Sequence, residues 1–310
     1  MSRIKKILCP TDWSEPSRVA LQTAAKLALQ EGADLLVIHV LPSLGLVRGI
    51  SSAASLGAAM KHEAYEKLTA LIAECVPSDV RVYPLIRVGE EADEIHLAAL
   101  QVDVVVMSTH GRSGWAHWAF GSVAETVLLG STCPIFVIGP TGTRQAKDET
   151  REGVRNPSFG FPFKQVLWPT DWSEPSERAL DDAIAISARH GAQLLMLHVL
   201  EPPEMEPLVW ERRQRAEMQE RFRELCARKP EAKEAQQLIG YGVAAEEIIR
   251  IAVEKGVDLI VMSTQGRTAW QRLKLGSVAQ KVVRQVPCPI LLIPLHTATA
   301  YSAITELEVA

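Results

Sequence analysis

Val104-Val105-Val106-Met107-Ser108-Thr109-His110-Gly111-Arg112-Ser113-Gly114, followed by Gly121-Ser122-Val123, is the stretch on which the fold turns. Three valines and a methionine in succession show no polar alternation, as expected of a strand buried on both faces in a parallel sheet. The run breaks into small residues and glycine. Ser122, with Glu125 three residues on, then reads as a capping box opening a helix. Gly111 and Gly121 leave the backbone bare where a ligand comes close to it. Unpaired N–H groups at a helix start attract anions, phosphate above all. Strand, glycine turn and helix start together make a phosphate cradle. The construction returns as Leu259-Ile260-Val261-Met262-Ser263-Thr264-Gln265-Gly266-Arg267-Thr268-Ala269 and Gly276-Ser277-Val278, with Ser277 and Gln280 as the second capping box.

Other segments recur at nearly the same distance. Pro10-Thr11-Asp12-Trp13-Ser14-Glu15-Pro16-Ser17 comes back 159 residues later as Pro169-Thr170-Asp171-Trp172-Ser173-Glu174-Pro175-Ser176. His39-Val40-Leu41 comes back at that offset as His198-Val199-Leu200. Gly121 and Gly276 stand 155 apart, as do Cys133-Pro134-Ile135 and Cys288-Pro289-Ile290. A repeat this long is a duplicated domain rather than a solenoid unit, and 310 residues suit two domains of about 150.

Within the first copy the pattern predicts a strand over 4–9 and a helix capped by Ser14 and stopped by Gly32. A strand over 34–41 and a mobile loop over 42–59 come next. A helix over 60–75, a strand over 80–88 and a helix over 90–100 follow. The central strand, a helix over 122–129 and a strand over 134–138 complete the domain. This alternation is that of a parallel sheet with helices on both faces. Ligands of such sheets sit beyond the carboxyl ends of the strands, where strand order reverses, so Asp12, Val40 and Gly111 are expected to face one crevice. The change of composition after Gly139 reads as a linker. The expected division is 1–140 and 163–295 as domains, 141–162 as linker and 296–310 as a tail.

A formal charge of −4 argues against nucleic-acid binding, though backbone amides hold phosphate without net positive charge. The five cysteines form no Cys-x-x-Cys pair and read as free, mostly buried thiols. No signal peptide is evident, and no apolar run approaches the roughly 20 residues of a membrane span. The chain reads as soluble and cytoplasmic, with no membrane partner.

These motifs resemble the universal stress protein family, here as two such domains in tandem. The resemblance rests on Pro-Thr-Asp after the first strand, His-Val ending the second, and His/Gln-Gly-Arg-Ser/Thr before Gly-Ser-Val-Ala. It covers nearly the whole chain apart from the linker and tail. It implies an α/β fold of two tandem doubly wound, five-stranded parallel sheets, Rossmann-like and akin to the adenine nucleotide alpha-hydrolases. The ATP-binding branch of that family carries Gly-x2-Gly-x9-Gly-Ser/Thr. The last part fits twice, at Gly111 with Gly121-Ser122 and at Gly266 with Gly276-Ser277. Both copies have serine at the first glycine, Ser108 and Ser263, where a Cβ bears on any left-handed φ or close ribose approach. Gly114 is matched by Ala269.

The resemblance implies ATP or AMP, with or without Mg, as the ligand of a stress-response or signalling protein. In the first domain it would be held by Pro10, Thr11, Asp12, Val40, Met107, Gly111, Arg112, Ser113, Gly114, Gly121, Ser122 and Val123. In the second the set is Pro169, Thr170, Asp171, Val199, Met262, Gly266, Arg267, Gly276, Ser277 and Val278. Asp12 and Val40 would lie by adenine and ribose, and the glycine segments by the phosphates. The family commonly dimerises through the edge strand ending each domain. The tandem resembles such a dimer within one chain, 135–138 against 290–293, which also covers two edges. A homodimer of tandem chains stays open.

Plainer roles compete with these. Asp12 could satisfy loop amides near a helix start, and His39 and His198 read as core or hydrogen-bonded histidines. Arg112 and Arg267 could be solvated, and Trp115 and Trp118 could pack as a lid or a subunit contact. No catalytic triad, carboxylate pair or metal-ligand cluster stands out. The alternatives to a binder are a weak ATPase using His110 or Asp12, and a nucleotide-free interaction module whose sites have lapsed.

Overall fold

A computed structural model of the chain describes residues 4–43, 53–109, 121–139, 161–201, 207–266 and 275–295. These fall into two compact units that divide between Ile138 and Gly139. The first runs β1 (Lys6–Pro10), α1 (Glu15–Glu31), β2 (Asp34–Leu41), α2 (Ala53–Cys75), β3 (Val82–Val88), α3 (Glu91–Ala99), β4 (Val104–Ser108), α4 (Ser122–Gly130) and β5 (Ile135–Ile138). The second runs β6 (Gln165–Thr170), α5 (Glu174–His190), β7 (Gln193–Leu200), α6 (Pro207–Arg228) and a 3-10 turn (Pro230–Ala232). It continues with β8 (Gln236–Tyr241), α7 (Ala244–Glu254), β9 (Leu259–Ser263), α8 (Ser277–Gln285) and β10 (Ile290–Ile293).

In each unit the strands are parallel, ordered β3-β2-β1-β4-β5 in the first and β8-β7-β6-β9-β10 in the second. The unbroken apolar runs are the central strands, as burial on both faces requires. Val104, Val105 and Val106 are fully buried, as are Leu259, Ile260 and Val261. Helix α1 packs over β1 and β4 beside α2, while α3 packs with α4, so each sheet is wound on both sides. The order reverses at β1, between β2 and β4. A crevice therefore opens at the carboxyl ends of those three strands.

Helix α1 starts as the sequence predicts. Ser14 caps it, accepting from the Ser17 amide, with Glu15 and Pro16 in the first turn. Gly32 ends it at φ 65, a left-handed conformation that its missing Cβ permits, and Gly191 does the same for α5 at φ 64. Two expectations fail. The loop read over 42–59 is already helical from Ala53, because its alanines are strong helix formers; residues 44–52 lie outside the described set. The capping boxes fail as well. Gly121 and Gly276, not Ser122 and Ser277, are the N-caps, and neither helix start has a side-chain cap bond. The helix begins one residue earlier than the Ser-x-x-Glu pattern suggests. The serine thus falls inside the first turn, where its hydroxyl does not serve as the cap.

The amino ends of the sheets are closed by a repeated carboxylate. Asp103 Oδ2 accepts the backbone N–H groups of Lys5 and Lys6 at 2.7 and 2.9 Å. Asp258 Oδ2 accepts those of Lys164 and Gln165 at 2.7 and 2.8 Å. The stretch 161–163 already packs on the second unit, Phe163 lying 4.7 Å from the His190 ring.

All five cysteines are free, and Cys9, Cys133 and Cys288 are buried. Burial disfavours the thiolate and pushes Cys288 from an ordinary 9.0 up to about 12, with Cys9 and Cys133 also raised. Maleimide labelling of the native protein is expected to reach Cys75 and Cys226 before these three, and all five after denaturation. Above pH 9 the unfolded chain gives up thiol protons that the folded chain keeps. Stability therefore falls as pH rises from about 9 towards about 12. Replacing Cys288 by alanine should flatten that part of a pH–stability curve.

Candidate functional site

The loop after β1 is a small hydrogen-bonded framework in which each residue of the Pro-Thr-Asp-Trp-Ser motif has a task. Thr11 N–H continues the parallel ladder to the Ile38 carbonyl at 2.9 Å. Its hydroxyl meets the Ser17 hydroxyl at 3.1 Å and accepts the Trp13 amide at 3.3 Å. Asp12 Oδ1 accepts both the amide and the hydroxyl of Ser14, at 3.0 and 2.5 Å. The carboxylate thereby fixes the helix cap and is itself fixed.

His39, near the end of β2, is buried. Its Nδ1 lies 2.7 Å from the Thr11 carbonyl, which can only accept, so Nδ1 carries the proton. Its Nε2 then accepts from the Trp13 indole N–H at 3.1 Å. This is a neutral, hydrogen-bonded histidine that ties β2 to the loop, not a free base.

The second unit repeats the framework. Asp171 Oδ1 accepts from the Ser173 amide and hydroxyl at 3.0 and 2.6 Å, Trp172 N–H donates to the Thr170 hydroxyl at 2.9 Å, and His198 Nδ1–H donates to the Thr170 carbonyl at 2.7 Å.

The opposite side of the crevice is built from backbone. Gly121 N–H donates to the Thr109 carbonyl at 3.0 Å and Gly276 N–H to the Thr264 carbonyl at 2.9 Å, so each helix start is tied to the end of its central strand. With no side chain capping them, the first N–H groups of α4 and α8 keep their affinity for an anion, supported by the helix dipole. Ser108 and Ser263 end β4 and β9 in register with Ile138 and Ile293, and neither has positive φ. Left-handed backbone is thus no reason for a glycine at the first motif position. A glycine is needed at Gly266 for space alone: a Cβ there would lie 2.5 Å from Asp171 Oδ2.

One cavity at the crevice of the first unit is lined by Pro10, Thr11, Asp12, Val40, Met107, Gly121, Ser122 and Val123. Its volume is about 280 Å³. Gly111, Arg112, Ser113 and Gly114, with His110, Trp115 and Trp118, lie outside the described residues. A cavity of about 590 Å³ in the second unit is lined by Pro169, Thr170, Asp171, Val199, Met262, Gly266, Gly276, Ser277 and Val278. Arg267 lies outside the described residues. Ser17, Glu91 and Ile95 also line the first cavity and Trp172, Gln214, Glu217, Met218 and Arg221 the second, none of them expected from the sequence; His39, read as a core or hydrogen-bonded histidine, and Gln265 of the glycine motif line them too. The recurrence of tryptophan inside the Asp-Trp-Ser motif was a signal for Trp172. The α6 residues sit on a helix whose facing direction no local pattern reveals. Among the described residues no cluster of His, Cys, Asp and Glu could hold a metal ion, and no helix is long and apolar enough to cross a membrane.

Comparison with known proteins matches the universal stress protein family over residues 3–139 and 162–294. A universal stress protein of Thermus aquaticus is 38% identical over 135 residues, 42% of this chain and 98% of its own. One from Mycolicibacterium smegmatis aligns over 93% of this chain and 96% of its own at 25% identity. The crystal structure of a universal stress protein from Archaeoglobus fulgidus superposes with a TM-score of 0.62 over 93% of this chain and 96% of its own, at 21% identity. The chain belongs to the universal stress protein family, with two tandem domains of the family's Rossmann-like fold.

Proposed function

We propose that this tandem universal stress protein binds an adenine nucleotide, ATP or AMP, in each of its two domains, as a cytoplasmic stress-response or signalling component. The carrying observation is the pairing, made twice, of a fixed aspartate at the end of one central strand with an uncapped helix start beside the next. The aspartate and the neighbouring valine suit ribose and base. The helix amides suit phosphates, with Mg as a companion of the phosphates rather than of protein ligands. In the first domain Asp12, Val40 and Gly121 to Val123 carry these roles, joined by Gly111 to Gly114. In the second the residues are Asp171, Val199, Gly266 and Gly276 to Val278, with Arg267 alongside the phosphates.

Denaturing the purified protein and analysing the released small molecules by mass spectrometry is expected to yield adenine nucleotide near stoichiometry with the domains. Added Mg-ATP at 100 times its Kd is expected to stabilise the folded chain by about 2.7 kcal/mol. A clean blank together with an unmoved thermal transition would reject the reading in favour of an interaction module without ligand. Steady conversion of ATP to ADP, lost in Asp12→Ala, would instead identify an ATPase.

A further inference from the structure

Trp13 and Trp172 hold the same place in the repeat, and both have left-handed backbones, at φ 69 and 63. No other non-glycine residue among those described has positive φ. The strain is held by the same threonine-to-amide bond in each copy. The side chains are used differently. In the first domain the indole N–H is consumed by His39, with ring centroids 4.2 Å apart. In the second the Trp172 and His198 rings are 5.4 Å apart, and the buried indole N–H has no acceptor among the described residues.

The cause lies on the helix opposite. Lys67 and Arg221 each place a cation over the indole of their own domain, at 4.7 and 5.9 Å, which puts α2 and α6 in register. The next residue is Leu68 in one and Phe222 in the other, both fully buried. Phe222 gives Trp172 an edge-on aromatic partner at 4.9 Å and 62°, which leucine cannot supply. Trp172 leans on α6 accordingly. It joins Gln214, Met218 and Arg221 in lining the larger cavity, whereas among the described residues none of α2 lines the first.

We infer that Trp172 determines specificity in the second site: its indole N–H takes a hydrogen-bond acceptor of the ligand, the role that His39 fills internally in the first. An orphaned buried donor costs free energy that a ligand acceptor recovers. The N–H is buried in this conformation, so a turn of the ring accompanies seating of the ligand. The inference rests on the nucleotide reading, under which the acceptor is a ring nitrogen of the base. The two sites then read the base by different contacts, and the Leu68/Phe222 difference sets which.

The test is calorimetric titration of the full chain carrying Asp12→Ala, which leaves the second site, with ATP and with its 1-, 3- and 7-deaza analogues. One analogue is expected to bind about tenfold more weakly than ATP. Trp172→Phe, which keeps an aromatic ring without the donor, is expected to weaken ATP by about the same factor and to leave that analogue unaffected. Phe222→Leu, which removes the aromatic edge that holds Trp172 against α6, should reproduce the loss with Trp172 in place. ATP bound normally, with unchanged analogue ratios in both variants, overturns the inference alone. No ATP binding by the unsubstituted chain overturns the nucleotide reading and the inference together.

Discussion

Trp168→Ala is expected to lower the stability of the second domain by about 3–5 kcal/mol. Trp168 sits in β6 at the centre of its sheet, is fully buried, and donates its indole N–H to the Ser176 carbonyl at 2.9 Å. Truncation leaves a void that close-packed neighbours fill only in part, and it removes a buried hydrogen bond. Cys9 occupies the equivalent place in β1 of the first domain and is equally buried. A small residue is thus compatible with the fold but not with the surroundings of Trp168, and Trp168→Cys should cost nearly as much. Urea unfolding followed by circular dichroism, with the two domains' transitions fitted separately, reads the effect. A loss under about 1 kcal/mol would show that the second core collapses around the vacancy more completely than its packing implies.

Gly266→Ala is expected to weaken nucleotide binding at the second site by tenfold or more, about 1.4 kcal/mol or above, with little change in folding. The new Cβ would lie 2.5 Å from Asp171 Oδ2. Asp171 cannot retreat without cost, because its other oxygen holds the amide and hydroxyl of Ser173 at the cap of α5. The carboxylate is pushed from its place beside the ligand, or the cap is broken, and either outcome spoils the site. The equivalent test at the other glycine has a different expectation. A Cβ on Gly276 would meet the Thr264 carbonyl, Gln265 Cα and the Gly266 N at ordinary distances of 3.5, 3.7 and 3.9 Å, so Gly276→Ala should be tolerated by the fold. Titration of ATP into chains carrying Asp12→Ala as background separates these effects. Equal affinity for Gly266→Ala and its parent would remove Asp171 from the ligand's surroundings.

The doubly wound parallel architecture was readable because the buried runs of β4 and β9 and the repeated motifs placed the central strands, and because parallel connections leave few topologies. The aspartate and glycine-serine positions were readable too, since strand ends position them through the backbone. Ser122 misled because Gly121 and Ser122 are both acceptable caps, and only the backbone geometry at Gly121, φ −62 and ψ 141, selects between them. The start of α2 was lost because alanine-rich composition reads as loop when glycine and serine are mixed into it. Trp172 and its partner Phe222 were out of reach for another reason. Their contact joins elements 50 residues apart, and nothing local to either foretells it.

The paired carboxylates Asp103 and Asp258 have a mechanical meaning. Each bolts two successive amides of the entering chain to the base of its sheet, at the end away from the crevice. A pull on the polypeptide ahead of Lys164 is delivered to that bolt and shared by the neighbouring strand before it can reach Thr170. Tension along the chain that leads into either domain is thereby taken up at the foot of its sheet rather than at the loop after its first strand.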